Sequence, residues 1–131
     1  MMKLTPLEQQ VTQMLLDGDD ETLSVLRQQA ERADVSSREM TGVGFYTKFL
    51  VPSSSARPAG QPSFKLGDVN GSAANLKHGC GFLLYVDDGT LTMLEGYTYD
   101  EPWPDEIQEL KLEYSSGPDR DMEQVRKEIQ K

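Results

Sequence analysis

The sequence predicts an α+β domain. Its core is an antiparallel sheet of four or five strands in meander order, with an N-terminal αα-hairpin and a short C-terminal helix packed mainly on one face. Three observations predict it. Apolar residues recur at helical spacing only near the two ends of the chain. Between them, apolar runs of period two are separated by Gly, Pro, Asn and Asp. No strand pattern alternates with helix patterns, which argues against a βαβ parallel sheet. The 131 residues suit one domain, 1–131, with the αα-hairpin at 6–34, the sheet at 40–115, the C-terminal helix at 119–130 and a flexible loop at 52–62.

Thr5-Pro6-Leu7-Glu8 reads as a helix start, with Thr5 as cap, Pro6 at the first helical position and Glu8 completing a capping box. Leu7, Val11, Met14 and Leu15 form its apolar stripe, and Gly18 stops it. Asp19 or Asp20 caps a second helix striped by Leu23, Leu26, Ala30 and Ala33. Such narrow stripes need a surface to cover, and the sheet supplies one. MTGVGFYTKFLV at 40–51 alternates as a strand, with Gly42 and Gly44 leaving one face bare near its start. PSSSARPAGQP at 52–62 is the flexible loop. Phe64–Leu66 begins a second strand, 67–71 reads as a turn, and 72–76 as a short, irregular edge strand.

The strongest pattern runs from Gly79 to Pro104. Phe82–Val86 is almost wholly apolar, Thr90–Tyr99 alternates, and Asp87-Asp88-Gly89 between them suits a three-residue hairpin loop. Alternation puts Leu91, Met93, Glu95, Tyr97 and Tyr99 on one side of that second run, and Thr92, Leu94, Gly96 and Thr98 on the other. A carboxylate in an apolar row costs several kcal/mol unless paired or protonated. Glu95 is therefore either turned outward by a bulge at Gly96, paired with an arginine such as Arg38, or tuned as an acid/base group. Asp100-Glu101-Pro102-Trp103-Pro104 must leave the sheet, because neither proline can join a ladder. The single Trp103 either plugs the sheet edge or anchors a partner. Leu110, Leu112 and Tyr114 mark a last strand with one wet face. Asp119 caps a charged helix bearing Met122, Val125 and Ile129.

Charge narrows the function. The chain carries a net −9. Residues 79–131 hold 5 Lys/Arg against 13 Asp/Glu, and Gly79–Leu110 holds eight acids and no base. Phosphate binding needs clustered Lys and Arg, so nucleic acid and anionic membranes are poor partners. A basic protein fits the field, as does simple solubility. No apolar run reaches membrane length, no signal-peptide core opens the chain, and one cysteine excludes an internal disulfide framework. A cytoplasmic location is the expectation.

His78 and Cys80 flank Gly79. Their spacing argues against a nucleophilic pair, and Cys80 among apolar neighbours reads as a small core residue. One His and one Cys cannot assemble a zinc set, and the acids near Asp87 lack the spaced pattern of a calcium loop. No cofactor or metal is expected. The leading expectation is a non-enzymatic interaction protein whose acidic, aromatic surface of Tyr97, Tyr99, Asp100, Glu101, Trp103, Asp105 and Glu106 meets a basic partner. The alternatives are a small enzyme or ligand-binding domain with Glu95 as acid/base beside His78, and a homodimer joined at an exposed strand edge.

Two segments, TGVGFYTKF at 41–49 and GFLLYVDDGTLTMLEGYTYDEPWP at 81–104, cover about a quarter of the chain. They resemble a family of small, largely uncharacterised bacterial proteins with a hairpin ending in L-E-G-Y-T-Y and an acidic W-P. Some of these resemble immunity-type components of bacterial toxin systems. The resemblance implies a bacterial source and a compact cytosolic domain, and brings no active site with it.

Overall fold

A computed structural model describes residues 2–130. The described residues form helices α1 (Pro6–Leu15), α2 (Glu21–Arg32) and α3 (Met122–Gln130). Six strands make one sheet: β1 (Asp34–Met40), β2 (Gly44–Leu50), β3 (Phe64–Ser72), β4 (Cys80–Asp87), β5 (Thr90–Thr98) and β6 (Lys111–Tyr114). The strand order is β1-β2-β5-β4-β3-β6, antiparallel throughout. The α+β class and the central place of the β4–β5 hairpin agree with expectation. The strand count and the meander do not, because β2 pairs with β5 rather than with β3. Among the described residues no helix is long and apolar enough to cross a membrane.

The αα-hairpin forms as its caps dictate. Thr5 and Glu8 exchange both bonds of a capping box, and the Asp20 carboxylate accepts the Leu23 amide. Arg27 donates to the carbonyls of Leu16 and Gly18 at 2.6 and 3.1 Å, stitching the turn between the helices. Helix α1 lies over β3 and β4, α2 over β5, and α3 over β3. The core under them gathers Val11, Leu15, Leu23 and Leu26 against Phe45, Leu66, Val69, Phe82, Leu84, Leu91 and Leu94. Val125 carries α3 into it, and the cap of α3 is Asp121 rather than Asp119. Arg120, its side chain 5% exposed, forks onto Asp68 and donates to the Asp17 carbonyl, so the chain before α3 is clamped to both β3 and the end of α1.

Four local expectations are corrected. Asp34–Met40 forms β1, although its sequence, DVSSREM, buries only Val35; it is an edge strand and needs little apolar content. Residues 67–71 continue β3 across a bulge instead of turning, and 72–76 is no strand beyond Ser72. The glycines there serve close approach: a Cβ on Gly71 would lie 2.8 Å from the Cys80 sulfur. The hairpin loop has two residues, Asp88 and Gly89, with φ of 49° and 74°, because Asp87 already pairs with Thr90. Both φ signs match the primed turn that suits strand twist.

The fourth correction concerns the bulge in β5. Val86 pairs with Leu91 and Tyr85 with Met93, which leaves Thr92 as the extra residue. Leu91 is thereby turned to the helix side with Leu94, and both are fully buried. Met93, Glu95 and Tyr97 take the opposite face. Gly96 carries no bulge, since it pairs in register with Phe45 and Phe82, and it leaves room for the Phe45 ring, which a Cβ would meet at 2.3 Å.

Two buried polar residues join the layers. Gln29, 1% exposed, donates to the carbonyls of Ala56 and Gly89 and accepts the Leu91 amide, tying α2 to the 52–62 loop and the hairpin. Glu8, 2% exposed, accepts a two-pronged bond from Arg38 on β1 at 2.6 and 2.9 Å, together with the Thr47 hydroxyl on β2. Arg38 is therefore the partner of Glu8 and not of Glu95. Burial alone would raise the Glu8 pKa. The bonds from Arg38, Thr47 and Thr5 outweigh that effect and hold it below its ordinary 4.5, while Glu8 raises Arg38 in turn.

A folded-state value below the unfolded one means that Glu8 contributes stability above about pH 4.5, lost as pH falls through the folded value. In urea unfolding between pH 3 and 6, Glu8→Gln is expected to flatten the acid limb of the stability curve. Arg38→Met should cost about 2 kcal/mol at neutral pH by stranding a buried carboxylate. A Glu8→Gln curve parallel to the wild type would remove this role.

Candidate functional site

The helices seal one face of the sheet, and the other face has no layer over it among the described residues. Alternation sends Tyr46 of β2, Leu83 and Tyr85 of β4, and Met93, Glu95 and Tyr97 of β5 to that open face, where each is partly exposed. The register packs them side by side. Glu95 lies opposite Tyr46 on one flank and Leu83 on the other; Met93 lies between Lys48 and Tyr85; Tyr97 lies between Gly44 and Gly81. Gly81 matters here, because a Cβ would lie 2.6 Å from the Tyr97 hydroxyl and 2.7 Å from that of Tyr99. The bare backbone lets both rings lie against the sheet, edge to face with centroids 5.6 Å apart.

The Tyr85 hydroxyl donates to Oε1 of Glu95 at 2.7 Å. Burial, then the bond to Glu95 and its charge, push the Tyr85 phenol up to about 12. Burial, the neighbouring Tyr99 and Glu95 do the same to Tyr97, also to about 12. Phenols held neutral this firmly are hydrogen-bond donors at any physiological pH, not bases. Lys65 Nζ stands 5.4 Å from the centroid of the Tyr85 ring. Glu95 itself has no ion partner among the described residues.

The exit loop borders this face beyond the end of β5. Its residues divide between internal and outward roles. The Glu101 carboxylate accepts the backbone amides of Lys77 and His78 at 2.9 and 2.6 Å, which lowers its pKa and pins the loop before β4. The Thr98 hydroxyl donates to the Glu101 carbonyl, and the Thr98 amide donates to the Val43 carbonyl at 2.9 Å. Trp103 is half-buried, edge-on to Phe45 at 5.2 Å, and its amide donates to the Gly42 carbonyl. The indole thus plugs the sheet end beside the β1–β2 turn. Tyr99, Asp100, Asp105 and Glu106 remain exposed. Of the seven residues expected on the acidic, aromatic surface, these four and Tyr97 offer side chains outward. Glu101 and Trp103 hold the loop in place.

His78 sits in the exposed loop before β4, beyond the Cys80–Thr98 pair, whereas Glu95 lies three register positions further along. The structure does not bring the two together. Cys80 is 1% exposed, and burial pushes its thiol up to about 11, so it is a neutral core group. Among the described residues no three His, Cys, Asp or Glu stand close enough to hold a metal ion. A cleft of about 470 Å³ between α1 and α2, lined by Gln9, Thr12, Gln13, Arg27 and Glu31, is remote from Glu95, as is a smaller one beneath α3. Tyr46, Leu83, Tyr85 and Met93 were absent from the expected surface. The alternation of Tyr46 with Phe45 and of Tyr85 with Leu84 carried their signal, but only strand pairing shows that they are neighbours.

In a spectrophotometric titration, Glu95→Gln is expected to lower the late phenolate transition of Tyr85, leaving the part due to burial. A transition unmoved by that change would mean the carboxylate does not act on this phenol. A scan against protein-family models, a search of curated proteins and a search of solved structures each return no match to this chain.

Proposed function

We propose that this protein is a non-enzymatic interaction module that docks a basic protein on the open face of its sheet, with the acidic exit loop as rim. One observation carries the reading: a sheet sealed by helices on one side leaves Tyr46, Leu83, Tyr85, Met93, Tyr97 and Tyr99 partly uncovered on the other. Aromatic and Met side chains at the centre of a patch, with carboxylates at its edge, are the composition of a binding surface rather than of an ordinary solvated face. The net charge of −9 selects a cationic partner and speeds its approach. Immunity-type neutralisation of a cationic toxin is the concrete form that the hairpin's resemblance supports. A single buried, unpaired thiol suits the cytoplasm. Glu95 as an acid/base group finds less support, since neither cleft includes it and its bonded neighbour is a neutral phenol.

The test is capture of partners from a bacterial lysate by wild type and by two variants, followed by association kinetics with the captured protein. Asp100→Lys/Asp105→Lys is expected to cut the on-rate about tenfold at low salt and less at high salt. Tyr97→Ala/Tyr99→Ala should raise the off-rate by about tenfold or more. Partners that are acidic, or retained equally by both variants, would sink the reading. So would a protein that only associates with itself in light scattering.

A further inference from the structure

We infer that the anchor this surface receives is an arginine of the partner, its guanidinium held by Glu95 among Tyr46, Tyr85 and Tyr97. The inference rests on the basic-partner reading and names the chemistry at its centre. Glu95 is a partly buried carboxylate with no cation of its own chain within ion-pair distance among the described residues. Tyr85 occupies Oε1 at 2.7 Å, which orients the carboxylate and leaves Oε2 to accept from a ligand. A partly buried carboxylate with one oxygen left to accept and no counter-ion of its own chain is a ready partner for a cation supplied from outside.

The surroundings choose the kind of cation. Glu95 stands directly opposite Tyr46 and two residues before Tyr97 on the same face, so phenol rings border it on several sides. Ring faces attract cations, and one of them already carries Lys65 at 5.4 Å. The site is an open sheet face rather than a cavity, so it cannot envelop an ammonium and replace its tight hydration shell. A guanidinium is flat, weakly hydrated and forked. It can stack on a tyrosine and still direct N–H groups to Oε2 and a phenol oxygen. Lys48, opposite Met93, and Lys65, at the Tyr85 ring, border the site and disfavour a second cation there, so the site takes one guanidinium at a time.

The test uses the full chain and two probes, octa-arginine and octa-lysine, titrated calorimetrically at low salt. Wild type is expected to bind the arginine peptide about tenfold more tightly than the lysine peptide, about 1.4 kcal/mol. Glu95→Gln should abolish that preference while both peptides retain their charge-driven binding. Asp100→Asn/Asp105→Asn should weaken both alike and keep the preference. Tyr46→Leu serves as a second variant, with the same loss expected, should Glu95→Gln fail to melt like wild type. Equal binding of the two peptides, or a preference unchanged in Glu95→Gln or Tyr46→Leu, overturns the arginine assignment and leaves the basic-partner reading standing. Binding of neither peptide overturns both.

Discussion

One extra residue in one strand decides what this surface is. Thr92 is that residue, and the strand's two faces exchange at it. Before it, Leu91 points to the helices; after it, Leu94 does so again. Without the bulge, strict alternation would place Leu91 in line with Met93, Glu95 and Tyr97, and either the leucine would leave the core or the carboxylate would enter it. The second outcome is several kcal/mol uphill for an unpaired charge. The bulge lets both leucines be fully buried while Glu95 stays partly exposed on the opposite face.

The rest of the molecule holds that hairpin still. Gln29 grips it from α2 through the Leu91 amide and the Gly89 carbonyl, beside the bulge itself. Glu8 binds α1 to β1 and β2 through Arg38 and Thr47, so the edge of the sheet is fastened to the helical layer by a buried charge with all its bonds made. Arg120 does the same at the far edge, joining the approach to α3 with β3 and α1. These polar clamps lie on the helix side or at its margins. On the open face Tyr85 bonds Glu95, and Tyr97 and Tyr99 meet edge to face.

The exit loop shows how a single composition can serve two ends. Its carboxylates look alike in a charge count. Glu101 turns back to cap two amides, and Trp103 fills the gap at Phe45, so these two build the rim. Asp100, with φ of 55°, and the exposed Asp105 and Glu106 are what the rim shows to solvent.

The sequence by itself determined the elements whose signals are local. The capping box at Thr5 and Glu8, the apolar stripes of α1 and α2, the β4–β5 hairpin with its turn glycine, the breaking prolines around Trp103 and the acidity of the exit loop all act within a few residues, and each was legible. Only the tertiary structure decided pairings between distant segments. β1 is polar and becomes a strand because β2 offers it an edge. β3 runs through glycines because β4 approaches closely, and the position of the bulge depends on what the helices demand of Leu91 and Leu94. The candidate site belongs to this second class. Tyr46, Tyr85 and Glu95 sit on three strands, and nothing in a linear chain records that β2 pairs with β5 until the burial of Phe45, Phe49 and Leu94 under the helices selects it.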